Sequence, residues 1–449
     1  MTTTQTHTAQ TPRTDPPTAL PPLWDRRFTL YFTARSVSLV GDAMMPVATA
    51  LAVGAVYGIS GVGYVLGVWT GTFVLLVLFG GVFADRFGAR RMMVGADLAR
   101  VLTQGVLAAA FFAGTPPFWL LVSMAALAGA AVAMFLPGVN GMIPLVAREP
   151  QRANATLKVA DALAQLVGPA LAGLLITLTG AGTVYAIDAG TFVLSALCLA
   201  LIPLARGGAP LETPADTDSP APTGSSLRRD LRQGWLEFRA RTWMWAVILI
   251  WMGYGVLLFG PLIPLSSTLV SARLGSNSYG LAVSSLGVGT VLGGLLALRL
   301  RPARPLAAGA VAMTLYAVLP LCVALGADLP VLLAGHVLGG GAWAFWSVMW
   351  ATSVQTHTPP AVLNRVTAYE QAGSVSGMAL GQILAGPATG LVAPEQLLLV
   401  SAGACLAGCA ALFAVPAIRT LRRAAPQGSG MPGAPVGEPG TPAGGADGG

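Results

Sequence analysis

The sequence predicts an all-α polytopic membrane protein whose twelve transmembrane helices form two repeated six-helix bundles. Three observations predict it. Of the 449 residues 54% are apolar and only 10% charged, where an ordinary soluble domain has about 25% charged, and the mean hydropathy is +0.70. The apolar runs come in lengths of about 20 residues, enough to cross a bilayer core. The basic residues between the runs fall almost entirely on one side of the layer these spans define.

In order, the spans are 28–57, 61–84, 92–113, 117–137, 154–178 and 183–204 in the first half, then 244–268, 279–298, 306–325, 330–352, 366–391 and 396–418 in the second. Pro116, Pro330 and the Gly/Thr cluster near Gly180 mark tight turns on one side. On the other side stand Arg13, Arg26, Arg27, Arg86, Arg90, Arg91, Arg148, Arg152, Lys158, six arginines from Arg206 to Arg241, Arg299, Arg301, Arg304, Arg365, Arg419, Arg422 and Arg423, with Arg273 alone opposite. A miscounted helix would scatter these charges over both faces. The positive-inside rule then places both termini and the long central loop in the cytoplasm.

The expected organisation is a disordered cytoplasmic tail at 1–27, a bundle at 28–205, a cytoplasmic linker at 206–243, a second bundle at 244–419 and a disordered tail at 420–449. The tails are Thr/Pro-rich and Gly/Pro/Ala-rich, so neither can bury a core. The linker begins as Pro/Ser/Thr/Asp-rich chain, and its second part, Leu227 to Arg241, reads as a basic surface helix. The first apolar run is too long for a signal-peptide core, so no cleaved signal is expected.

The halves repeat at a constant offset of 218 residues. Residues 45–51 overlay 263–269, Gly71 overlays Gly289, Arg86 overlays Arg304, and Gly168-Pro169-Ala170 overlays Gly386-Pro387-Ala388. Four matches in one register indicate a duplicated six-helix unit, the build in which one half rocks against the other around a midplane site.

Several function classes are excluded. Lys158 is the one lysine and Leu157 precedes it, so the chain has no Walker A loop and is not itself an ATP-driven pump. The net charge of +7 is scattered in gaps between apolar runs and forms no nucleic-acid-binding patch. The four cysteines lie inside apolar runs; Cys405 and Cys409 share a helix face with no His or carboxylate beside them, which reads as packing and not as a metal site. Three histidines and no nucleophile-base cluster argue against an enzyme, and no cofactor is expected.

Charges inside spans are candidates for function because they are costly there. Arg35, Ser38, Asp42 and Thr49 fall on one face of the first span, with Asp42 near mid-membrane at about 1.5 Å per residue. Asp97, Arg100 and Gln104 form a second polar stripe, and Lys158, Asp161 and Gln165 a third. Asp42 is expected to carry the coupling proton, with Asp161 next. Arg35, Ser38, Asp42, Arg100, Gln104 and Gln165 are expected to line the substrate cavity. Two readings stand open for Asp97/Arg100 and Lys158/Asp161, a self-neutralising i,i+3 pair or a functional one. His336 reads as a packing residue, Glu370 as a solvated end or a latch partner, and Trp343, Trp346 and Trp350 as interfacial anchors or as a stacking face for aromatic cargo.

Between the second and third spans the chain reads Gly81-Val-Phe-Ala-Asp85-Arg86-Phe-Gly88-Ala-Arg90-Arg91. This resembles the signature loop of the major facilitator superfamily, departing at Ala89. The resemblance implies a cytoplasmic latch made by Gly81, Asp85, Arg86, Gly88, Arg90 and Arg91 when the cytoplasmic side is closed. Gly168-Pro169-Ala-Leu-Ala172-Gly173 is similar to the antiporter motif of that superfamily's drug exporters, with Ala164 and Ala172 at two glycine positions; Gly168, Pro169 and Gly173 are its matching residues. Arg35 to Asp42, Pro144 with Arg152-Ala-Asn154-Ala, and Trp350-Ala-Thr352 through Gln355 to Pro359, Asn364, Arg365 and Val366 resemble the macrolide-efflux and enterobactin-exporter branch. The fourth span has no charged residue, whereas exporters of the drug-antiporter type often carry an arginine there. The resemblance implies a proton-coupled exporter of a small amphipathic compound or drug, of the kind that confers multidrug resistance. It would act as a monomer in the bacterial plasma membrane, with cargo, protons and lipid as its partners and no nucleic acid. Uptake by symport on the same fold is the alternative, ahead of an integral-membrane enzyme.

Overall fold

The computed structural model describes residues 23–203, 242–300, 302–358 and 360–422, with backbone alone at 78, 80–82, 84–85, 140 and 360–372. Nearly all of the expected linker and of both expected tails lie outside the described residues, and the linker's last two residues, Thr242 and Trp243, begin a helix; the side chains of Asp85, Asn364, Arg365 and Glu370 also lie outside the description. The described chain is helical throughout, and among the described residues there is no strand.

Helix α1 (Arg26–Phe87) contains both of the first two expected spans. At 1.5 Å per residue a straight helix of 62 residues would be about 90 Å long, three times a bilayer core. It is not straight, because Gly58 takes φ 61° and ψ −162°, a conformation open to glycine. A Cβ at Gly54 would lie 3.3 Å from Val62 Cγ2, and one at Gly61 would lie 3.3 Å from Val53 Cγ1. A continuous helix would hold residues eight apart about 12 Å from each other, so the arms 26–57 and 59–87 fold back against one another.

The following helices are α2 (Ala89–Ala113), α3 (Phe118–Val146), α4 (Pro150–Thr179) and α5 (Ala181–Ala200). The second half has α6 (Thr242–Leu274), with a π-turn at Gly255–Phe259, α7 (Ser276–Arg299) and α8 (Pro305–Ala324), with a 3₁₀ turn at Thr314–Ala317. It ends with α9 (Leu329–His357), α10 (Pro360–Ala388), α11 (Pro394–Ala414) and one turn at Pro416–Arg419. Helix α3 runs nine residues past the expected end at 137, through Pro137 and Pro144, because neighbouring helices in a bundle re-satisfy backbone groups that proline frees.

Among the described residues ten helices are long and apolar enough to cross a membrane, α1 counted once and α10 not included. Large apolar side chains such as Leu75, Trp119, Leu178 and Leu298 stand fully on the surface. In water they would form an apolar patch far larger than a soluble monomer shows, whereas lipid tails solvate them. Arg273, the basic residue expected on the less charged side, pairs there with Glu395 at 2.9 Å.

Within the first half α1 packs on α3, α4 and α5, and α2 on α3 and α5; within the second, α9 packs on α7 and α8, and α11 on α8. The halves meet where the second arm of α1 packs against α10, α4 against α7, and α1 against α6. The 218-residue offset carries the first two of these contacts onto one another and pairs the first arm of α1 with α6, as a pseudo-two-fold relation between the halves requires.

The first two contacts sit at one end. Gly63, Gly67 and Ser60 press on Gln382, Ile383, Ala379 and Gly386, while Gly173 presses on Gly280 and Ser276. These positions lie in the parts of α1, α4 and α7 nearest the turns at Gly58, Gly180 and Gly275. Helices in lipid gain no hydrophobic drive toward one another, so backbone approach through small residues supplies the seal. The bundle is therefore closed at the Gly58 end.

Candidate functional site

Above that seal a cavity of ≈ 700 Å³ opens between the halves, walled by Arg35, Asp42, Thr49, Thr70, Arg100, Gln104, Lys158, Asp161 and Gln382 among apolar neighbours. A second cavity of ≈ 1060 Å³ adjoins it and shares Lys158, Ile263 and Met378 as walls. At the sealed end Thr70 donates to Gln382 Oε1 at 2.8 Å, a buried bond between the halves.

The first cavity is built on Arg100. The polar stripe of α2 turns inward, and α5 and α3 supply aromatic rings on either side. The guanidinium lies 4.1 Å from the centre of the Phe135 ring and 4.2 Å from that of Phe192, the face-on geometry a cation prefers. Its edges are spent on carboxylates: Nη2 donates to Asp97 Oδ1 at 2.5 Å, and Nη1 reaches both oxygens of Asp42 at 3.3 and 3.4 Å. Ser195 donates to the other Asp97 oxygen at 2.7 Å. Asp97 and Arg100 side chains are 0% and 3% exposed, while that of Asp42 is 35% exposed on the cavity wall. A buried charge of this kind persists only when paired.

The two open readings of Asp97/Arg100 therefore merge, since the i,i+3 pair exists and its arginine also holds a cavity carboxylate from another helix. Asp42 pairs with Arg100 and not with Arg35, whose guanidinium instead lies 5.1 Å from the Phe135 ring centre. Gln104 lines the cavity, with its Oε1 buried and unpartnered among the described residues. Asp161 lines it as well, 39% exposed and 4.0 Å from Lys158, itself 84% exposed.

Two expected cavity residues are elsewhere. Ser38 is fully buried and donates to the Arg35 carbonyl at 3.1 Å, because its side of α1 faces neighbouring helices. Gln165 is exposed and outside both cavities. At that level α4 is clamped between α1 and α7: a Cβ at Gly168 would lie 2.7 Å from Ala43 Cβ, and one at Gly287 would lie 3.0 Å from the Gln165 carbonyl oxygen. The long side chain is left to turn outward.

The antiporter-like residues occupy this clamp. Gly168 meets α1, Gly173 meets α7 with a notional Cβ 3.0 Å from Gly280 Cα and 3.1 Å from the Ser276 carbonyl, and beside Pro169 the Ala170 amide donates to Ser284 Oγ at 2.8 Å. Gly173→Val is expected to wedge the seal open, because backbone stands on both sides of the added atoms; overpacking of this kind costs about 1–3 kcal/mol. A lowered melting midpoint, with faster labelling of a cysteine placed at Thr49 by an impermeant reagent added from the Gly58 side, is the expected readout.

Of the latch residues, Gly88 has φ 82° and starts α2, Arg86 is exposed with its guanidinium 5.8 Å from the Phe87 ring centre, Arg90 donates to the Ile202 carbonyl just past α5 at 3.0 Å, and Arg91 is exposed. Each described contact stays within the first half. Gly81 and Asp85 lie on α1, described by backbone alone.

The second cavity is aromatic. Trp251, Phe259, Tyr279, Tyr316, Trp343, Trp346 and Trp350 wall it with His336 and Gln355. Trp346 stacks on Trp251 with centroids 4.6 Å apart, and Trp343 meets Phe259 edge-on at 5.3 Å. The tryptophans of α9 thus face the cavity and not the lipid boundary. His336 is both packed and cavity-lining, its Nδ1 2.8 Å from the Leu332 carbonyl.

Sequence reasoning missed Asp188, Gln382 and the two rings that hold Arg100. Asp188 is fully buried on α5, and the rule that an intramembrane charge is costly should have found it. Gln382, Phe135 and Phe192 carry no such signal, since their roles depend on neighbours from other helices.

Among solved structures the fold is similar to that of the nucleoside transporter NupG (TM-score 0.67, 13% identity, covering 86% of this chain and 98% of that one). It is also similar to a bacterial homolog of the human lysosomal transporter Spinster in an inward-facing, unoccupied conformation (TM-score 0.61, 15% identity, 87% and 95% covered). In sequence, an uncharacterized MFS-type transporter of Bacillus subtilis, YfiS, is 31% identical over 125 residues, 27% of this chain and 29% of that one. Macrolide efflux protein A of Streptococcus pyogenes is 22% identical over 235 residues, 51% and 55% of the two. The matched part thus spans from under a third to about half of these relatives' length. The model of the Major Facilitator Superfamily matches residues 30–382, which with the closed helical bundle and its central cavity shows that the chain belongs to the Major Facilitator Superfamily.

Proposed function

We propose that this transporter is a twelve-pass, proton-coupled exporter that moves a small amphipathic compound by alternating access, with both termini in the cytoplasm of a bacterial cell. The observation that carries the reading is the pairing of the two cavities: a charged wall of Arg35, Asp42, Arg100 and Asp161 faces an aromatic wall of tryptophans and tyrosines. An amphipathic molecule can place its polar head on the first and its apolar body on the second. The seal at the Gly58 end leaves the cavities open toward the Gly88 end, which on the expected topology is the cytoplasm, the side from which an exporter loads. Low-identity similarity to macrolide efflux protein A supports the direction. Asp85 and Arg86 would latch the Gly88 end in the opposite state, and Asp42, with Asp161 as second, would exchange the proton.

The test uses purified protein in liposomes, rhodamine 6G as an aromatic amphipathic probe, and a proton gradient of either sign. Export by exchange predicts probe movement against the proton flow without chemical change of the probe. Movement with the protons would establish symport, and conversion of the probe would establish an enzyme. Trp343→Ala is expected to weaken probe binding about three- to tenfold, the worth of an aromatic contact, as measured by fluorescence titration. Unchanged affinity would remove the aromatic cavity from the site.

A further inference from the structure

Asp188 is 0% exposed, and among the described residues its Oδ2 has no hydrogen-bond partner. Its Oδ1 receives only the long arm, 3.3 Å, of a shared hydrogen bond from the Thr191 hydroxyl, whose short arm goes to the Asp188 carbonyl at 2.7 Å. The backbone of α1 closes over it, for a Cβ at Gly41 would overlap Asp188 Oδ1. The charged groups acting on it are Asp42 of α1 and Arg100 of α2. Asp97 and Arg35 complete the cluster through them, Tyr185 lies one turn away on α5, and Lys158 and Asp161 of α4 face the cavity.

Two guanidiniums, Arg35 and Arg100, thus stand against three carboxylates, Asp42, Asp97 and Asp188. With all five ionised an apolar bundle would hold one uncompensated negative charge, and a proton on one carboxylate is the low-cost relief. Asp97 has Arg100 and Ser195, Asp42 has Arg100 and the cavity, and Asp188 has neither. A second unsatisfied group belongs to the same cluster: among the described residues Arg100 Nε is buried without a partner. Asp188, Phe192 and Ser195 fall on one face of α5. Phe192 already stacks on Arg100 and Ser195 already bonds Asp97, so Asp188 stands at the next turn along the same contact.

We propose that Asp188 holds the transported proton in this conformation and that Arg100 is the switch that releases it. The proposal rests on the proton-exchange reading above, places the proton on Asp188 with Asp42 as the carboxylate through which it is exchanged, and names the cargo class, a monocation. While Arg100 is engaged by Asp42 and Asp97, Asp188 stays neutral. A cationic head that pairs with Asp42 frees one edge of Arg100 to turn toward Asp188. The O–H bond of Asp188 breaks, its electron pair stays on the carboxylate that joins Arg100, and the proton leaves past Asp42 into the cavity water. One positive charge enters the cluster and one leaves, so the cluster's charge is conserved.

Infrared spectroscopy of the full-length protein in phosphatidylethanolamine/phosphatidylglycerol liposomes at pH 7 tests the first half. The expected spectrum contains a protonated-carboxyl C=O band that Asp188→Glu moves, that Thr191→Val shifts upward, and that Asp42→Glu leaves in place. Asp42→Asn should erase the band by freeing Arg100 for Asp188. A wild-type protein without the band, or a band moved by Asp42→Glu and indifferent to Thr191→Val, overturns Asp188 as the holder. The second half is tested with tetraphenylphosphonium in weak buffer, where about one proton per bound cation should be released. No binding, or binding without proton release, overturns the exchange reading while the band still decides Asp188.

Discussion

Arg100→Gln is expected to have the largest effect of any single substitution in the bundle. Two carboxylates, one of them 0% exposed, lose their cation, and Phe135 and Phe192 lose the group between them. Removing one partner of a buried ion pair costs about 3–5 kcal/mol because the other charge is left uncompensated. Transport should fall to background and the melting midpoint of the purified protein should drop sharply. The double variant Arg100→Gln/Asp97→Asn should recover much of the midpoint, since a neutral pair needs no cation, but none of the transport. Arg100→Lys should rescue poorly, because an ammonium neither fills a slot between two rings nor spans two carboxylates. A single variant that melts like the wild type would show that the network does not hold the helices together.

Asp42→Asn is expected to abolish gradient-driven export while leaving the fold intact. The side chain is 35% exposed on the cavity wall and volume is nearly conserved, so the loss of its long contacts to Arg100 at 3.3 and 3.4 Å leaves the packing in place. What is lost is the charge that alternately engages Arg100 and cargo. Accumulation against a gradient should therefore disappear, while downhill movement of rhodamine 6G at saturating concentration, measured as equilibration across liposomes without a proton gradient, should persist within about twofold. Asp161→Asn should retain most uphill export, since Asp161 is paired with a lysine 84% exposed to solvent. If Asp42→Asn still concentrates the probe with the usual pH dependence, Asp42 is structural and Asp161 inherits the role.

Much of the fold was legible before any coordinates, for reasons that act along one chain. Hydrocarbon forbids unpaired backbone, so long apolar runs must be helices, and the expected placement of Arg86, Arg148, Arg299 and their like on one side follows from an asymmetry that orients insertion. The Gly81 to Arg91 loop carries the family, since its residue types and spacing are local. Even Asp42 as a cavity residue could be read, from the cost of a charge at mid-membrane and its place on one helical face.

Only the tertiary structure decided which groups meet. Periodicity tells which residues share a face and is silent on what that face touches. Asp42 pairs with Arg100, 58 residues away, and not with Arg35 on its own helix, because the packing of α1, α2 and α5 brings the two stripes together. Ser38 and Gln165 sit at the right spacing for the cavity yet leave it, one buried against neighbours and the other turned out where small residues clamp α4. Trp251 and Trp346 become one wall only when α6 meets α9. A sequence read along its helices determined that this chain folds as a membrane bundle with costly charges inside it. Whether each charge is paired, solvated or left to hold a proton depends on distances between helices, and those exist only once the helices pack.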